Sequence, residues 1–223
     1  MKKEFLLLML MMSMALGMTA QPSGGHEYVD LGLPSGTLWA MCNVGATSPE
    51  EYGDYFAWGE TSTKDYYDWS NYKWCYGSES TFTKYCTHRR YGYDGYEDLK
   101  KRLDLYDDAA YVNWGAQWCM PTKAQWDELC WKCSWIWTIQ NEVYGFKVIG
   151  PNRKSIFLPA TGYHGGKWFA GVGHSGCYWS CTLCYDNTGA AYGVDFSMMD
   201  DVRIRNTSRR IGYAVRPVRN SQK

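Results

Sequence analysis

The chain has 223 residues, enough for one domain with a sizeable core, and it carries 23 basic and 23 acidic side chains. So even a balance gives no electrostatic case for nucleic acid or an anionic membrane surface as partner. Twelve Trp and 19 Tyr beside 23 Gly suit a compact fold of short strands and much irregular structure.

The first residues, Met1-Lys-Lys-Glu4, are followed by a run in Leu, Met and Ala from Phe5 to Met18. A positive start, a short apolar stretch and small residues after it predict a secretory signal peptide over residues 1–20, cut after Ala20 or, as second choice, Gly17. The run is short for a membrane span, which needs about 20 apolar residues, and no Cys follows it to carry a lipid. Residues 21–223 are then an exported domain (periplasm, cell surface or secreted) with no second hydrophobic span. Its nine cysteines are an odd number, so one at least stays free or pairs with another chain. Each could equally be a small buried hydrophobe.

Residues 27–31 and 37–40 flank Gly32-Leu-Pro-Ser-Gly36 and predict a hairpin. Residues 42–46 and 53–61 continue in short extended pieces. From 62 to 96 no period is visible, and a loop of that length must pack some of its aromatic side chains, those of 69–74 first. Residues 107–113 predict a short helix with acids at its start. A clearer helix covers 123–132, with Thr122 as N-cap and Gln125 as its capping-box partner. Trp126, Leu129, Cys130 and Cys133 fall on one face of it. Residues 134–140 and 143–149 alternate as strands around Asn141-Glu142, and 155–158 is another strand. At the C-terminal end 178–180, 191–196 and 212–218 read as strands, with 181–189 and 197–210 as polar loops between them. The expected class is α+β: two helices and many short, mainly antiparallel strands.

Blocks along the chain resemble one family. Tyr28-Val-Asp-Leu-Gly-Leu-Pro-Ser-Gly-Thr-Leu-Trp39, Cys42-Asn-Val-Gly-Ala46, Tyr52-Gly-Asp-Tyr-Phe-Ala-Trp-Gly-Glu60 and Asp107-Asp-Ala-Ala110 look like the Fibrobacter succinogenes major paralogous domain. Trp118-Cys-Met-Pro-Thr122, Cys133-Ser-Trp-Ile-Trp137, Leu158-Pro-Ala-Thr-Gly-Tyr163, Tyr178-Trp-Ser180 and Val215-Arg-Pro-Val218 complete the pattern over nearly the whole mature chain. The resemblance implies an exported Bacteroidetes protein with a single C-type-lectin-like domain, similar in fold to the formylglycine-generating enzyme. It further implies that the strand at 28–31 pairs with that at 214–218. Cys119 stands where the family usually has Arg, and Cys181 where it usually has Ser.

Chemistry is sparse. Cys130/Cys133 and Cys181/Cys184 have zinc-pair spacing, yet the first pair lies on an apolar helix face, and a disulfide at Cys181 or Cys184 fits an exported loop better. Cys177, Cys181 and Cys184 fall in the region of the related enzyme's reactive cysteines without its spacing or motif. His26, His88, His164 and His174 stand in no catalytic motif. Acidic pairs at Asp107-Asp108 and Asp200-Asp201 lack the signatures of calcium-using lectins. No catalytic residue, metal or cofactor is therefore expected.

The expectation is a non-catalytic ligand-binding module for a protein or glycan. Its binding set is Leu183, Cys184, Tyr185, Asp186, Asn187, Arg203, Arg205, Asn206, Ser208, Arg209, Ile211 and Tyr213, supported by buried Trp179 and Arg216. Aromatic and Arg side chains beside Ser and Asn are paratope-like. The layout also resembles the variable end of lectin-fold receptors diversified by retroelements, from which Met198 and Met199 depart. Exposed Trp168 or Tyr185 could stack on a sugar ring. The alternatives are a formylglycine-generating-enzyme-like oxidase and a structural surface-assembly protein.

Overall fold

The computed structural model describes residues 25–199 and 202–220, so the expected signal peptide and Asp200-Asp201 lie outside the described residues. Strands β1 (Tyr28–Asp30) and β2 (Thr37–Ala40) form the expected antiparallel hairpin. Its turn is closed by Gly36 N–H donating to Leu33 C=O at 2.9 Å, with Gly32 and Gly36 at φ of 72° and 69° that side-chain-bearing residues avoid. Strand β3 (Tyr55–Phe56) is short.

The segment 62–96 holds 3-10 turns at Trp69–Asn71, Arg89–Tyr91 and Tyr93–Gly95 rather than longer elements. It folds around its aromatic side chains, as expected of so long a loop. Tyr67, Tyr72, Phe82 and Cys86 are buried in a small core of their own, with Trp69 and Trp74 packed on it. The Tyr72 hydroxyl donates to Trp58 C=O at 2.6 Å and that of Tyr67 to Tyr55 C=O, which ties the loop to β3.

Helix α1 (Ala109–Trp114) starts two residues later than expected, because the Asp108 carboxylate caps it by accepting from the N–H groups of Ala110 and Tyr111. Helix α2 (Lys123–Lys132) has the expected bounds and the Thr122–Gln125 capping box. Trp126 and Leu129 are buried, with Cys130 and Cys133 half-buried against the same core. Strands β4 (Ser134–Gln140), β5 (Val143–Ile149) and β6 (Ser155–Pro159) form a three-stranded antiparallel sheet. A two-stranded hairpin follows, β7 (Tyr163–Gly165) with β8 (Trp168–Ala170).

The last third builds the main sheet. Strands β9 (Ser175–Leu183), β10 (Ala190–Ser197), β11 (Arg203–Ser208) and β12 (Tyr213–Ala214) join β3 in the order β11-β10-β9-β12-β3. Strand β13 (Val218–Asn220) pairs with β2, in the order β1-β2-β13. Two expectations are corrected here. Residues 181–183 continue β9, and 203–208 form strand β11, so neither expected loop is as long as it reads. The pairing of 28–31 with 214–218 is also replaced. Val218 lies opposite Trp39 of β2, and Ala214 lies between Tyr55 and Tyr178. Burial explains the choice, because Trp39 and Val218 are wholly buried whereas β1 is an outer strand. The first and last described strands still share one sheet.

Alternation sorts the β9 side chains into two cores. Cys177, Trp179, Cys181 and Leu183 face one with Trp58 and Tyr85, while Tyr178 faces the other with Trp126 and Phe196. Buried indoles pin neighbouring elements to β9. Trp58 donates to Ser180 C=O at 2.8 Å, Trp126 to Trp179 C=O at 3.1 Å, and Trp179 to Phe56 C=O at 2.7 Å. The described residues are therefore α+β, with two α-helices and mainly antiparallel strands, as expected.

Candidate ligand-binding surface

Of the twelve residues expected to bind ligand, four are buried and belong to the fold. Leu183 ends β9 and packs into the first core, and Cys184 just after it is buried, its N–H donating to Ala190 C=O at 3.0 Å. Arg209 is fully buried. Its guanidinium lies 4.0 Å from the Phe82 ring centroid and donates to Tyr85 C=O at 2.8 Å, fastening the 62–96 segment to the sheet. Tyr213 stacks on Trp179 with ring centroids 4.4 Å apart. Those four positions are corrections, since polar or aromatic character near a turn does not separate an exposed side chain from one that closes a core. Trp179 and Arg216 are wholly buried, as expected. Arg216 donates to Asn43 Oδ1 at 2.8 Å and to the carbonyls of Ala40 and Phe157 at 3.0 Å each, joining β2 and β6.

The remaining eight fall in two places. Tyr185, Asp186 and Asn187 are the exposed tip of the β9–β10 hairpin, closed by Ala190 N–H donating to Asn187 C=O at 3.0 Å. Tyr185 meets Tyr192 with centroids 5.3 Å apart, and Tyr192 pairs with Asn206 across the sheet. Arg203 and Arg205 are exposed on the opposite face of β11, while Ser208 and Ile211 are half-buried. Fold geometry thus divides the expected single surface between two faces of one edge strand, because residues i and i+1 of a strand point to opposite sides.

The Arg205 face covers a polar cluster of which Tyr213 alone belongs to the expected set. Asp195 of β10 lies opposite Cys177 of β9, and Arg205 lies opposite Gly193. The Tyr213 hydroxyl donates to Asp195 Oδ2 at 3.4 Å, and Asp195 Oδ1 is buried without a partner. Burial pushes the Asp195 carboxyl up to about 6, against the opposing pull of the Arg205 charge. It also raises the Cys177 thiol and the Tyr213 phenol far above neutrality, so neither is a ready nucleophile. Tyr163 of β7 flanks the cluster, 6.4 Å from Tyr213 between centroids. Alternation along 191–196 could have flagged Asp195 as the one carboxylate in an otherwise apolar strand.

All nine cysteines are free thiols, so the disulfide expected at Cys181 or Cys184 does not form; both are buried in β9 and at its end. Burial holds Cys130 near 12 and Cys133 and Cys181 near 11, which keeps them protonated. Among the described residues no three His, Cys, Asp or Glu side chains gather at metal-binding range, and the two Cys-x-x-Cys pairs do not converge. The Asp107-Asp108 pair has structural work instead: Asp107 pairs with Lys84, and Asp108 caps α1 and accepts from Met120 N–H at 2.8 Å. Trp168 is 78% and Tyr185 54% exposed, as a stacking role would require.

His164, which the sequence leaves without a role, is buried on β7. Its ring stacks on Phe169 at 4.2 Å, its Nε2 has no partner, and burial lowers its pKa. It lines a cleft of about 450 Å³ with Tyr55, Tyr67 and Phe169. Among the described residues no helix is long and apolar enough to cross a membrane. Comparison of the chain with protein-family models, with curated proteins and with solved structures finds no match.

Proposed function

We propose that this chain is an exported or cell-surface, non-catalytic binding module whose ligand, a protein or a glycan, sits on the Arg205 face of the main sheet. In this reading the blocks quoted above make it a member of the Fibrobacter succinogenes major paralogous domain family, with the C-type-lectin-like fold that family implies. The observation that carries the binding site is the exposed Arg205 standing over a buried carboxyl with an unpartnered oxygen, beside the half-open ring of Tyr163. An Arg, an aromatic side chain and a buried polar floor are the ingredients of a binding hot spot. High thiol and phenol pKa values at Cys177 and Tyr213 support the non-catalytic side of the reading. The retroelement-diversified receptor is the narrower form of the proposal, with Arg203, Arg205 and Ile211 among its variable positions.

The test is a glycan and protein array followed by titration of the captured ligand. Arg205→Ala and Tyr163→Ala should each weaken binding by about 2 kcal/mol while leaving the melting curve in place. Unchanged affinity in the double variant would remove this face from the site. If Tyr185→Ala alone abolishes binding, the ligand sits on the hairpin tip and the Tyr192–Asn206 side of the sheet instead.

A further inference from the structure

A second cleft lies away from that face, where three distant parts of the chain converge. The segment at 102–105 runs beside the end of β9: Arg102 bridges to Thr182, and Leu103 N–H donates to Cys181 C=O at 3.0 Å. Residues 116–119 run beside β13, with Cys119 N–H donating to Val218 C=O at 3.0 Å and the reverse bond at 2.9 Å. Between them opens a cleft of about 410 Å³ into which Arg102 and Arg219 both face, together with Leu105, Tyr111, Gln117 and Trp118.

Its charge is one-sided. No Asp or Glu lines the cleft, and among the described residues neither arginine forms an ion pair with a carboxylate. The Arg102 guanidinium meets the Cys181 thiol, and that of Arg219 lies 4.6 Å from the Tyr28 ring centroid and 5.9 Å from that of Trp118. These contacts hold the two side chains in place and leave most of their N–H donors unspent, since each guanidinium has five. Asp108 sits close enough for its charge to attract that of Arg102, but it is buried behind the lining and both its oxygens accept the Met120 N–H rather than meeting the guanidinium. At the cleft wall the Cys119 thiol is pushed up to about 12 by burial, so it adds no negative charge. Two cations facing one concavity whose lining holds no anion are a site for a ligand that brings one.

We infer that this cleft binds a carboxylate-bearing sugar, with Arg102 and Arg219 holding the carboxylate. The volume lies within the ~300–1,000 Å³ range of small-molecule sites, so there is room for a body behind the charge. Leu105, Tyr111 and Ala116 offer that body an apolar wall, and the Gln117 amide with the spare guanidinium donors meets its hydroxyls. A free amino acid fits less well, because no carboxylate in the lining would balance its ammonium charge beside two guanidiniums. The site stands independently of the Arg205 face: either can fail without the other.

The experiment titrates the purified protein, by calorimetry or NMR, with glucuronate, glucose, inorganic phosphate and N-acetylphenylalanine at low and raised ionic strength. Glucuronate should bind saturably, more tightly than the other three and more weakly as salt rises. Arg102→Gln and Arg219→Gln should each weaken it about tenfold, the loss of one charge-assisted contact. Absence of saturable glucuronate binding, or equal binding of glucose, overturns the proposal. Tighter phosphate binding would make the cleft an inorganic anion site, and tighter N-acetylphenylalanine a peptide-terminus site; either also overturns it. Should an arginine variant fail to fold, Ala116→Trp on the exposed rim fills the cleft, and glucuronate binding that survives it overturns the proposal as well.

Discussion

Arg205 and Arg209 lie four positions apart and do opposite work. Arg205 points outward from an edge strand, whereas Arg209 is fully buried, donates to Tyr85 C=O and covers the Phe82 ring. Truncating Arg209 leaves buried carbonyls without a donor and a void beside Phe82, and each unsatisfied buried group costs about 1–3 kcal/mol. Arg209→Ala should therefore lower unfolding stability by roughly 2 kcal/mol or more, while Arg205→Ala changes it by less than about 0.5 kcal/mol. Urea unfolding of both variants checks the pair. A mild Arg209→Ala would mean that the guanidinium does not hold the 62–96 segment. Sequence places both arginines in one polar run and has no means to tell them apart, because burial of Arg209 depends on a segment more than a hundred residues away.

At the level of elements, what reads clearly is what is locally encoded. Helix α2 carries its start signal in Thr122 and Gln125 and its buried face in Trp126 and Leu129, all within ten residues. The β4–β5 hairpin carries its turn in Asn141 and Glu142, whose φ values of 45° and 67° are left-handed. Asn tolerates that conformation and Glu does not, so the turn keeps a local strain that Gly would relieve. Glu142→Gly should raise stability by about 0.5–1 kcal/mol in thermal or urea unfolding; a loss would show that Glu142 has a role beyond the turn. Strand β11 carries no such signal. Its Arg, Asn, Thr and Ser residues flank a single Ile at 204, because an edge strand with one face to solvent needs little apolar pattern. The end of β9 is hidden for another reason. Residues 180–183 bulge against β10, where two steps from Ala191 to Gly193 oppose four from Leu183 to Trp179, and all four are buried although Ser180 and Thr182 are polar, so no apolar–polar alternation marks them as strand.

For the molecule as a whole, the buried carboxyl at Asp195 makes a pH dependence. Its folded pKa of about 6 stands above the ordinary value of 3.8, so the fold favours the protonated form. The contribution is fully present below pH ~4 and is lost as pH rises through about 6, each tenfold difference in proton affinity being worth roughly 1.4 kcal/mol. Stability should thus fall by on the order of 2 kcal/mol between pH 4.5 and 7 from this group. Asp108, pushed up to about 6 by burial against the pull of its N–H donors, acts in the same direction. Asp195→Asn isolates the first: unfolding curves across that range should lose part of their slope, and the variant should be the more stable near pH 7.5. A slope identical to that of the parent would place the titration elsewhere.

Legible in the amino-acid order alone are the α+β class, the bounds of α2, the β1–β2 and β4–β5 hairpins and the burial of Trp179 and Arg216. All but the last rest on short-range chemistry: a cap, a turn, or an indole too large and apolar to leave in water. Arg216 is marked by its place in the strand frame of the resemblance, and its partners Asn43, Ala40 and Phe157 are distant in sequence. Other features exist only in the folded chain. There β13 pairs with β2, Arg209 and Tyr213 close cores, and the expected surface splits between two faces. Packing likewise brings Arg102 to Arg219 across more than a hundred residues. Strand partnership and burial are set by which surfaces exclude water together, and that competition among distant segments leaves no mark in any one of them.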